Sequence, residues 1–285
     1  MTAGCGPGAD CRQGAWLITP ALVWTGLFCG LPLLIVFLIS FASRGTYGGV
    51  EWTFTLVNYR DLADPLYLYI YARSFALALA TTGLCLGLGF PLAYYIARAP
   101  ARWQGIWLTL VLVPFWTNFL VRTYAWMNVL RADGLLNSLL MNTGLTSGPL
   151  EILYTDVAVL IGLVYGYLPF MVLPLYAAIE RLDRSLIEAA RDLYASGWAV
   201  LTRVIVPLTK PGIVAGCLLV FIPSLGAYIT PDLLGGARSM MIGNFIQHEY
   251  LVVRDWPLGS AASFVLMALV LAGLWRYQGV GGARP

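Results

Sequence analysis

The sequence predicts an all-α membrane protein with six transmembrane helices. Of the 285 residues, 59% are hydrophobic and 11% are charged, against about 25% charged residues in an ordinary soluble domain. Six apolar runs are also long enough to cross a hydrocarbon core of roughly 30 Å as helices, and the apolar–polar alternation of a barrel strand is missing. The six runs cover residues 17–40, 74–97, 103–130, 157–179, 211–231 and 256–275.

The arginine and lysine residues between these runs predict which loops face the cytoplasm. Positive residues concentrate on the cytoplasmic side of membrane proteins, and the short loop with Arg98 and Arg102 shows this bias best. Both termini and the connection 180–210 are then cytoplasmic. The first run is too long for the apolar part of a cleaved signal peptide, so we expect it to be retained as an anchor. The expected segments are a cytoplasmic tail 1–16, a membrane domain 17–277 and a cytoplasmic tail 278–285.

The sequence gives no support for catalytic or metal chemistry. His248 is the single histidine, and the five cysteines are divided between the N-terminal tail and the apolar runs. Neither a metal cluster nor a Ser-His-Asp triad can be assembled from them. The positive-inside bias accounts for the net charge of +3, so this charge does not indicate nucleic-acid binding. We expect a chain that is not an enzyme and holds no metal or cofactor.

The connection 180–210 is the most polar part of the chain, with nine charged residues. Ser185 and Glu188 fit a capping box, so a short helix should begin at Ser185. A second helix is expected over 198–206, stopping before Pro207. The sequence therefore predicts a helix-turn-helix below the membrane. One face of its first helix is apolar and comprises Leu186, Ala189, Ala190 and Leu193.

The spacing in this connection resembles the signature loop of permease subunits in binding-protein-dependent ABC importers. The family pattern is Glu-Ala-Ala, three residues, Gly, nine residues, then Ile-x-Leu-Pro. Here Glu188-Ala189-Ala190 begins it, and Val204-Ile205-Val206-Pro207 ends it at the same distance. Tyr194 stands where the family has glycine. Because positive φ is costly for an aromatic residue, we expect the first helix to continue through Tyr194 and Gly197 to make the turn.

The resemblance implies that this loop couples the permease to an ATPase. Glu188 would make a charged or hydrogen-bonded contact with the ATPase, the two alanines would allow close approach, and the next two residues would flank the contact. The expected coupling residues are Glu188, Ala189, Ala190, Arg191, Asp192, Gly197 and Pro207.

Three longer stretches resemble permeases of the spermidine/putrescine group, of the first-permease type. They are PFWTNFLVRTYAWMNVLRADGLLN from Pro114, PLTKPGIVAGCLLVFIPSLGAYITPDLLGGARSMMIGNFI from Pro207, and RDWPLGSA from Arg254. The resemblance implies a six-helix bundle of the type I ABC importer permease kind in a bacterial inner membrane. It also implies a pathway for a small solute, with polyamines the first expectation and phosphonate, iron or sulfate as alternatives.

The resemblance places the energy source in other subunits. A P-loop requires GxxxxGK[ST], and the single lysine, Lys210, is followed by Pro211, so this chain is not the ATPase. The implied partners are two ATPase subunits, a second related permease or a second copy of this chain, and an extracytoplasmic solute-binding protein, together with the lipid bilayer. A proton- or sodium-coupled carrier is the first rival, disfavoured because no predicted span contains Asp or Glu. A membrane scaffold is the second.

Candidates for the solute pathway recur at helical spacing in the third run. They are Phe115, Asn118, Phe119, Arg122 and Trp126. An alternative is an aromatic belt at the membrane surface, with Arg122 reaching outward to water. Asp232 either attracts an amine at the outer end of the fifth run or caps a loop. Three further acidic residues, Asp156, Glu249 and Asp255, are either contacts for the binding protein or solvated surface groups.

Overall fold

A computed structural model describes residues 19–146, 148–236 and 239–281, with side chains through residue 276. The expected tail 1–16 lies outside these residues, as do residues 282–285 of the C-terminal tail. Two compact units make up the chain. Within the described residues, the first consists of 19–64 together with 248–281, and the second extends over 65–247.

The described residues are predominantly helical. The helices are α1 Thr19–Ile39, α2 Val57–Asp61, α3 Pro65–Arg98, α4 Ala101–Leu112, α5 Phe119–Leu130, α6 Leu135–Asn142, α7 Asp156–Glu180, α8 Arg184–Asp192, α9 Gly197–Leu208, α10 Lys210–Leu225, α11 Ile242–His248 and α12 Trp256–Gly281. Two antiparallel strands are present, β1 Ser43–Arg44 and β2 Val50–Glu51. Short 3₁₀ or π turns occupy Val113–Trp116, Pro231–Gly235 and Glu249–Val253.

Four helices are long and apolar enough to cross a membrane, namely α1, α3, α7 and α12. Two bent pairs raise the number to six if each pair counts as one span. The prediction of an α-helical membrane protein is confirmed. The two-residue strands are a small departure from an all-α chain.

The third run is bent, whereas the sequence predicts one continuous span over 103–130. The segments Ala101–Trp116 and Phe119–Asn142 meet at 89°. Pro114 lies in a 3₁₀ turn, and Thr117 after it is extended, with φ −82° and ψ 151°. The Asn118 side chain then accepts a hydrogen bond from the Leu120 amide at 2.8 Å and starts a new helix. The break therefore comes from a local stop signal followed by a new N-cap.

The fifth run is also shorter than predicted, because α10 ends at Leu225. A second bend, of 71°, separates α9 from α10. Thr209 lies at this bend. It is fully buried, and its hydroxyl donates back to the Ile205 carbonyl at 2.8 Å. Such back-bonding satisfies the hydroxyl inside the helix and commonly accompanies a bend.

Helices α3, α7 and α10 pack together as the core of the second unit. Two glycines on α10 allow its close approach to α7. A Cβ added to Gly216 would lie 2.7 Å from the Met171 Sδ, and one added to Gly212 would lie 2.8 Å from the Pro174 carbonyl oxygen. Small residues at such positions are the usual means of close helix packing in membranes.

The first unit joins α1 and α12 to the hairpin β1–β2, α2 and the turn Glu249–Val253. Phe37 of α1 meets Phe264 of α12 edge to face, with ring centres 5.1 Å apart. Asn58 is buried and donates to the carbonyls of Ser40 and Ala42 at 2.9 and 2.8 Å. These bonds fix the end of α1 against α2.

Candidate functional site

Helix α8, the predicted coupling helix, begins one residue earlier than the sequence predicts. Its N-cap is Asp183, whose carboxylate accepts from the Ser185 amide at 2.9 Å. This hydrogen bond lowers the pKa of the Asp183 carboxyl. The expected capping box on Ser185 and Glu188 is therefore wrong. A carboxylate suits this position better than a hydroxyl because it also opposes the positive end of the helix dipole.

The face of α8 that packs inward also differs from the prediction. Ile187 is 3% exposed and packs with Val200 and Ile205 of α9. Leu186 and Leu193, which were expected on the packed face, are 45% and 82% exposed. One buried isoleucine thus holds the helix against its neighbour, because α8 is too short to bury a whole stripe.

The expected coupling residues lie mostly on the free surface of α8. Glu188, Ala189, Arg191 and Asp192 are exposed, and Ala190 is half-buried beside Ile187. Among the described residues no ion pair involves these charged side chains. The surface therefore presents two acidic groups and one basic group around two small alanines, with space for a partner to approach closely.

The turn after α8 is made by Tyr194, contrary to the prediction. Its φ is +58°. The Tyr194 amide donates to the Arg191 carbonyl at 2.8 Å, and the Ala195 amide donates to the Ala190 carbonyl at 3.1 Å. This pair of hydrogen bonds is the Schellman arrangement, which requires left-handed backbone at the residue following the C-cap. Gly197 instead begins α9, after Ser196 has capped it. The backbone hydrogen bonds at the helix end thus place the turn at Tyr194 despite its side chain.

Helix α9 continues through Pro207 instead of stopping before it. The segment Leu201–Ile205 is π-helical, and the Val206 amide reaches back to Leu201. A wider turn changes which carbonyl faces the proline ring, so the usual clash with the preceding turn is avoided. Pro207 is exposed and lies two residues before the bend at Thr209.

Arg122 lies among aromatic rings on α5. Its guanidinium carbon is 4.5 Å from the ring centre of Phe115, 5.6 Å from Phe119 and 6.0 Å from Tyr165 of α7. Its Nε and Nη1 atoms are buried without a hydrogen-bond partner in the described part of the chain. Two of its three side-chain nitrogens are thus enclosed by rings, and the residue as a whole is half-buried. Ring faces compensate part of the cost of burying this charge.

The other candidates on this segment have separate contacts. Asn118 is exposed and caps α5. Trp126 packs edge to face against Tyr165, with ring centres 5.4 Å apart, and also contacts the cluster around Leu130 and Leu234. Four of the five candidates thus contact aromatic or apolar neighbours, while Asn118 has a capping role.

Two small cavities adjoin at Phe119. The larger, of about 160 Å³, lies beside Tyr167 and Tyr228. The smaller, of about 10 Å³, lies beside Arg122 and Trp126 and has room for about one water molecule. The candidate side chains therefore fill the space between α5 and α7 in this conformation. Tyr167, which borders the larger cavity, donates to the Pro223 carbonyl at 3.2 Å.

Asp232 lies in the turn Pro231–Gly235 with an exposed side chain. Its amide donates to the Tyr228 carbonyl at 3.0 Å, and no hydrogen bond of its carboxylate is found among the described residues. The carboxylate therefore does not cap a loop there. Leu234 of the same turn lines the smaller cavity, which places Asp232 two residues from the wall of the Arg122 site.

Several residues that contribute to this site escape the sequence reading. Gly162 and Gly166 are four residues apart on α7. Gly162 faces Leu234 and Thr230, and Gly166 faces Phe119. A side chain on Gly162 would collide with both of its neighbours. The spacing Gly-x-x-x-Gly is a known signal for close approach in membranes, so it was available in the sequence.

An open groove of about 780 Å³ lies at the end of α5 and was also missed. It holds the Arg131–Asp133 ion pair, with nitrogen and oxygen 3.1 Å apart, together with Glu151 and Tyr154. Tyr154 has φ +64° and is half exposed. The groove thus combines two carboxylates with an aromatic ring on a loop between the predicted spans.

The three further acidic residues are paired with neighbours. Asp156 contacts Arg73 at 2.5 Å and accepts from the Ser239 hydroxyl at 2.6 Å. Asp255 accepts from the Leu258 amide at 3.0 Å and caps α12. Glu249 is 8% exposed. Glu249 is therefore not a solvated surface group, whereas the Asp156 side chain is 46% exposed beside its partner Arg73.

Glu249 is the acidic group with the most unfavourable surroundings. Burial raises the pKa of its carboxyl, and the nearby Asp255 raises it further. Contacts with His248 and Arg44 lower it in part. His248 Nδ1 lies 3.9 Å from the carboxylate. No group of three or more His, Cys, Asp or Glu residues suited to a metal occurs in the part of the chain that the structure describes.

Comparisons with known proteins agree with this architecture. Residues 89–278 match a family described as the inner membrane component of binding-protein-dependent transport systems. The spermidine/putrescine transport system permease protein PotB of Escherichia coli K12 is 46% identical over 263 residues, which cover 91% of this chain and 96% of the relative. PotB of Haemophilus influenzae is 44% identical over 264 residues, covering 91% and 92%.

Solved structures resemble the chain in fold. A chain from the crystal structure of a bacterial ABC transporter involved in import of the acidic polysaccharide alginate superposes with a TM-score of 0.68 at 18% identity. The superposition covers 95% of this chain and 98% of that one. At this identity the likeness shows the fold, which is that of an ABC importer permease. The matches in sequence and structure extend over nearly the whole chain, and the protein belongs to the family of inner membrane components of binding-protein-dependent transport systems.

Proposed function

We propose that this chain is a permease subunit of an ATP-driven importer for polyamines such as spermidine and putrescine. The observation that carries the proposal is 46% identity over 91% of the chain to a spermidine/putrescine permease. The chain itself would not be catalytic, and ATP hydrolysis would occur in separate subunits.

Helix α8 would transmit the ATPase cycle. Its anchor is the buried Ile187 with the half-buried Ala190 beside it, and its exposed surface carries Glu188 and Ala189. A rigid short helix on one apolar anchor can move as a unit when a partner closes on it. This requires α8 in the cytoplasm, which agrees with the arginine bias of the loops. Two ATPase subunits and a second permease, or a second copy of this chain, would complete the membrane assembly.

The side of the membrane opposite to α8 would receive the solute from a binding protein. The groove at the end of α5 offers the exposed carboxylate of Glu151 for an ammonium group, next to Asp133, which is paired with Arg131. Asp232 adds an exposed carboxylate at another turn. Further in, the rings of Phe119, Tyr167 and Tyr228 border the 160 Å³ cavity. Aromatic faces attract alkylammonium ions, so carboxylates followed by aromatic rings suit a polyamine.

Solute depletion from a mixed medium tests this proposal. Cells with and without the chain are given putrescine, spermidine, amino acids and oxyanions, and the deletion is complemented by the wild-type sequence. Selective loss of polyamine uptake, restored by complementation, is the expected result. Loss of a different solute would keep the importer but reject the polyamine. Unchanged depletion of every solute would reject a transport role.

An oxyanion is the second candidate solute, and one observation favours it. Arg122 is half-buried, and its buried Nε and Nη1 atoms lack an acceptor among the described residues. Such a group forms strong, charge-assisted hydrogen bonds with phosphonate or sulfate oxygens and repels ammonium. The same depletion experiment distinguishes the two solutes, because only one class should remain in the medium of the deletion strain.

A further inference from the structure

The turn between α3 and α4 holds a groove that the transport function does not use. Its volume is about 490 Å³. Tyr95 and Trp103 on its wall are 58% and 45% exposed, so the aromatic surface is open. The residues that line the groove are Tyr95, Arg98, Ala99, Pro100, Trp103 and Trp107.

Two arginines flank this groove without a carboxylate partner. Arg98 lies over the Tyr94 ring, 5.3 Å from its centre, and Arg102 lies over the Trp103 ring at 5.9 Å. In the described residues the ion pairs of arginine involve other positions, and neither Arg98 nor Arg102 takes part in one. Contact with a ring face leaves the N–H donors of a guanidinium free for an anion.

The turn that carries these arginines is held rigidly. Gln104 donates from Nε2 to the carbonyls of Ala97 and Ala99, at 3.2 and 3.0 Å. Its Oε1 accepts from the Tyr176 hydroxyl at 3.3 Å. These three hydrogen bonds connect the end of α3 and the start of α4 to α7. The groove is therefore already formed before any ligand arrives, which reduces the entropic cost of binding.

The groove lies where a membrane surface is expected. Residues 74–97 contain no charged residue and span about 36 Å as a helix, close to the roughly 30 Å of a hydrocarbon core. Arg98 follows directly. Tryptophan and tyrosine are enriched at the same depth, where lipid headgroups begin. An occupant with a negative charge and an apolar part would match the arginines and the rings together.

We propose that this groove binds the phosphate headgroup of an anionic phospholipid. Arg98 and Arg102 donate to the phosphate oxygens, and the acyl chains lie along Tyr95, Trp103 and Trp107. Basic pockets of this kind between membrane helices suit acidic headgroups. The site is independent of the solute that the chain carries, so its test does not depend on the proposed transport activity.

Native mass spectrometry of the purified full-length chain measures this binding. Phosphatidylglycerol is titrated against phosphatidylcholine, with inorganic phosphate as a separate competitor. The groove variant is Arg98→Gln/Arg102→Gln. The matched control, Arg181→Gln/Arg184→Gln, removes the same charge from two exposed arginines outside the groove. Each arginine near an acidic headgroup is worth about fivefold in affinity, so the groove variant should bind phosphatidylglycerol about thirtyfold more weakly.

The expected result is this loss in the groove variant, with the control unchanged and no displacement by inorganic phosphate. Equal phosphatidylglycerol affinity in the wild type and the groove variant would overturn the proposal. So would displacement by millimolar phosphate, which would indicate a site for the free ion. If lipid binding is unaffected but the groove variant no longer retains the ATPase subunits, the groove is a protein interface and the lipid proposal is wrong. Circular dichroism confirms that both variants are folded.

Discussion

Replacing Tyr194 with glycine should stabilise the end of α8, although it removes an entire aromatic side chain. The ring is 97% exposed, so its loss removes little packing. The backbone at this position has φ +58°, which costs a residue with a Cβ about 1–2 kcal/mol. Glycine avoids this cost but loses about 0.5–1 kcal/mol through its greater freedom in the unfolded chain. The net gain is about 0.5–1 kcal/mol.

Hydrogen exchange of the full-length chain measures this gain locally. The amides of Tyr194 and Ala195 donate to the carbonyls of Arg191 and Ala190, so opening of the turn exposes both. A gain of this size lowers the equilibrium constant for opening of the turn by about two- to fivefold, and the two amides exchange more slowly by the same factor. Protection is read from the peptide that covers 190–196, and each variant is normalised to its own unfolded peptide because glycine and tyrosine exchange at different intrinsic rates.

Tyr194→Ala separates the backbone effect from the loss of the ring. Alanine keeps the Cβ and therefore keeps the cost of the left-handed backbone. We expect greater protection of these amides than in the wild type for the glycine variant, and no such increase for the alanine variant. Equal protection in both variants, or faster exchange in the glycine variant, would refute the reasoning. It would mean that the ring, rather than φ, determines the stability of this turn.

Four further predictions concern other parts of the chain. Glu188→Ala should reduce co-purification of the ATPase and solute uptake with the chain still in the membrane, and full uptake would contradict a coupling role. Asp232→Asn should weaken uptake of a cationic solute several-fold more than that of a neutral one, and equal effects would leave it a structural residue. Glu249→Gln should raise the melting temperature at pH 7 but not near pH 4. Because burial raises the pKa of the folded carboxyl, the wild type loses stability as pH rises from the unfolded pKa through the folded one. An unchanged melting temperature of the variant at both pH values would argue against this cost of the buried charge. Gly212→Ala should destabilise by about 1–3 kcal/mol through overpacking, whereas Gly83→Ala, with no atom within 4 Å of its added Cβ, should not; similar melting temperatures for the two variants would contradict the tight contact with α7.

The long spans were predictable because apolar length alone defines them. The run 157–179 differs from α7 by one residue at each end. The run 74–97 starts nine residues inside α3, because the helix continues outward through a tyrosine-rich segment that ends at Arg73. Tyrosine and arginine lower the hydropathy of this segment, but they do not oppose its helical backbone.

The bends were not predictable from the same signal. An apolar run has the same hydropathy whether it is straight or broken, and Pro114 alone does not decide between a kink and a stop. Asn118 decides it by capping a second helix. Pro207 shows the opposite error, since a π-helical turn before it allows the helix to continue. Local signals compete here, and their outcome depends on the neighbouring turn.

Contacts between distant residues were outside the reach of the sequence. Nothing near Arg122 in the chain indicates that Tyr165 covers it, and Asp156 carries no sign of its partner Arg73. The left-handed Tyr194 was missed for another reason. Residue preference opposes that backbone, but the hydrogen bonds at the end of α8 require it.

The three residues of the Arg73–Asp156–Ser239 cluster are synthesised far apart in time, so the cluster can form only late in synthesis of the chain. Asp156 emerges 83 residues after Arg73, and Ser239 emerges 83 residues after Asp156. At about 5–20 residues per second, each interval lasts about 4–17 s. Helix α3 therefore enters the membrane before the carboxylate for its arginine exists, and α7 follows before the hydroxyl that completes the cluster. The cluster closes only after the segment beyond α10 has been made, so it marks the late joining of elements that insert separately.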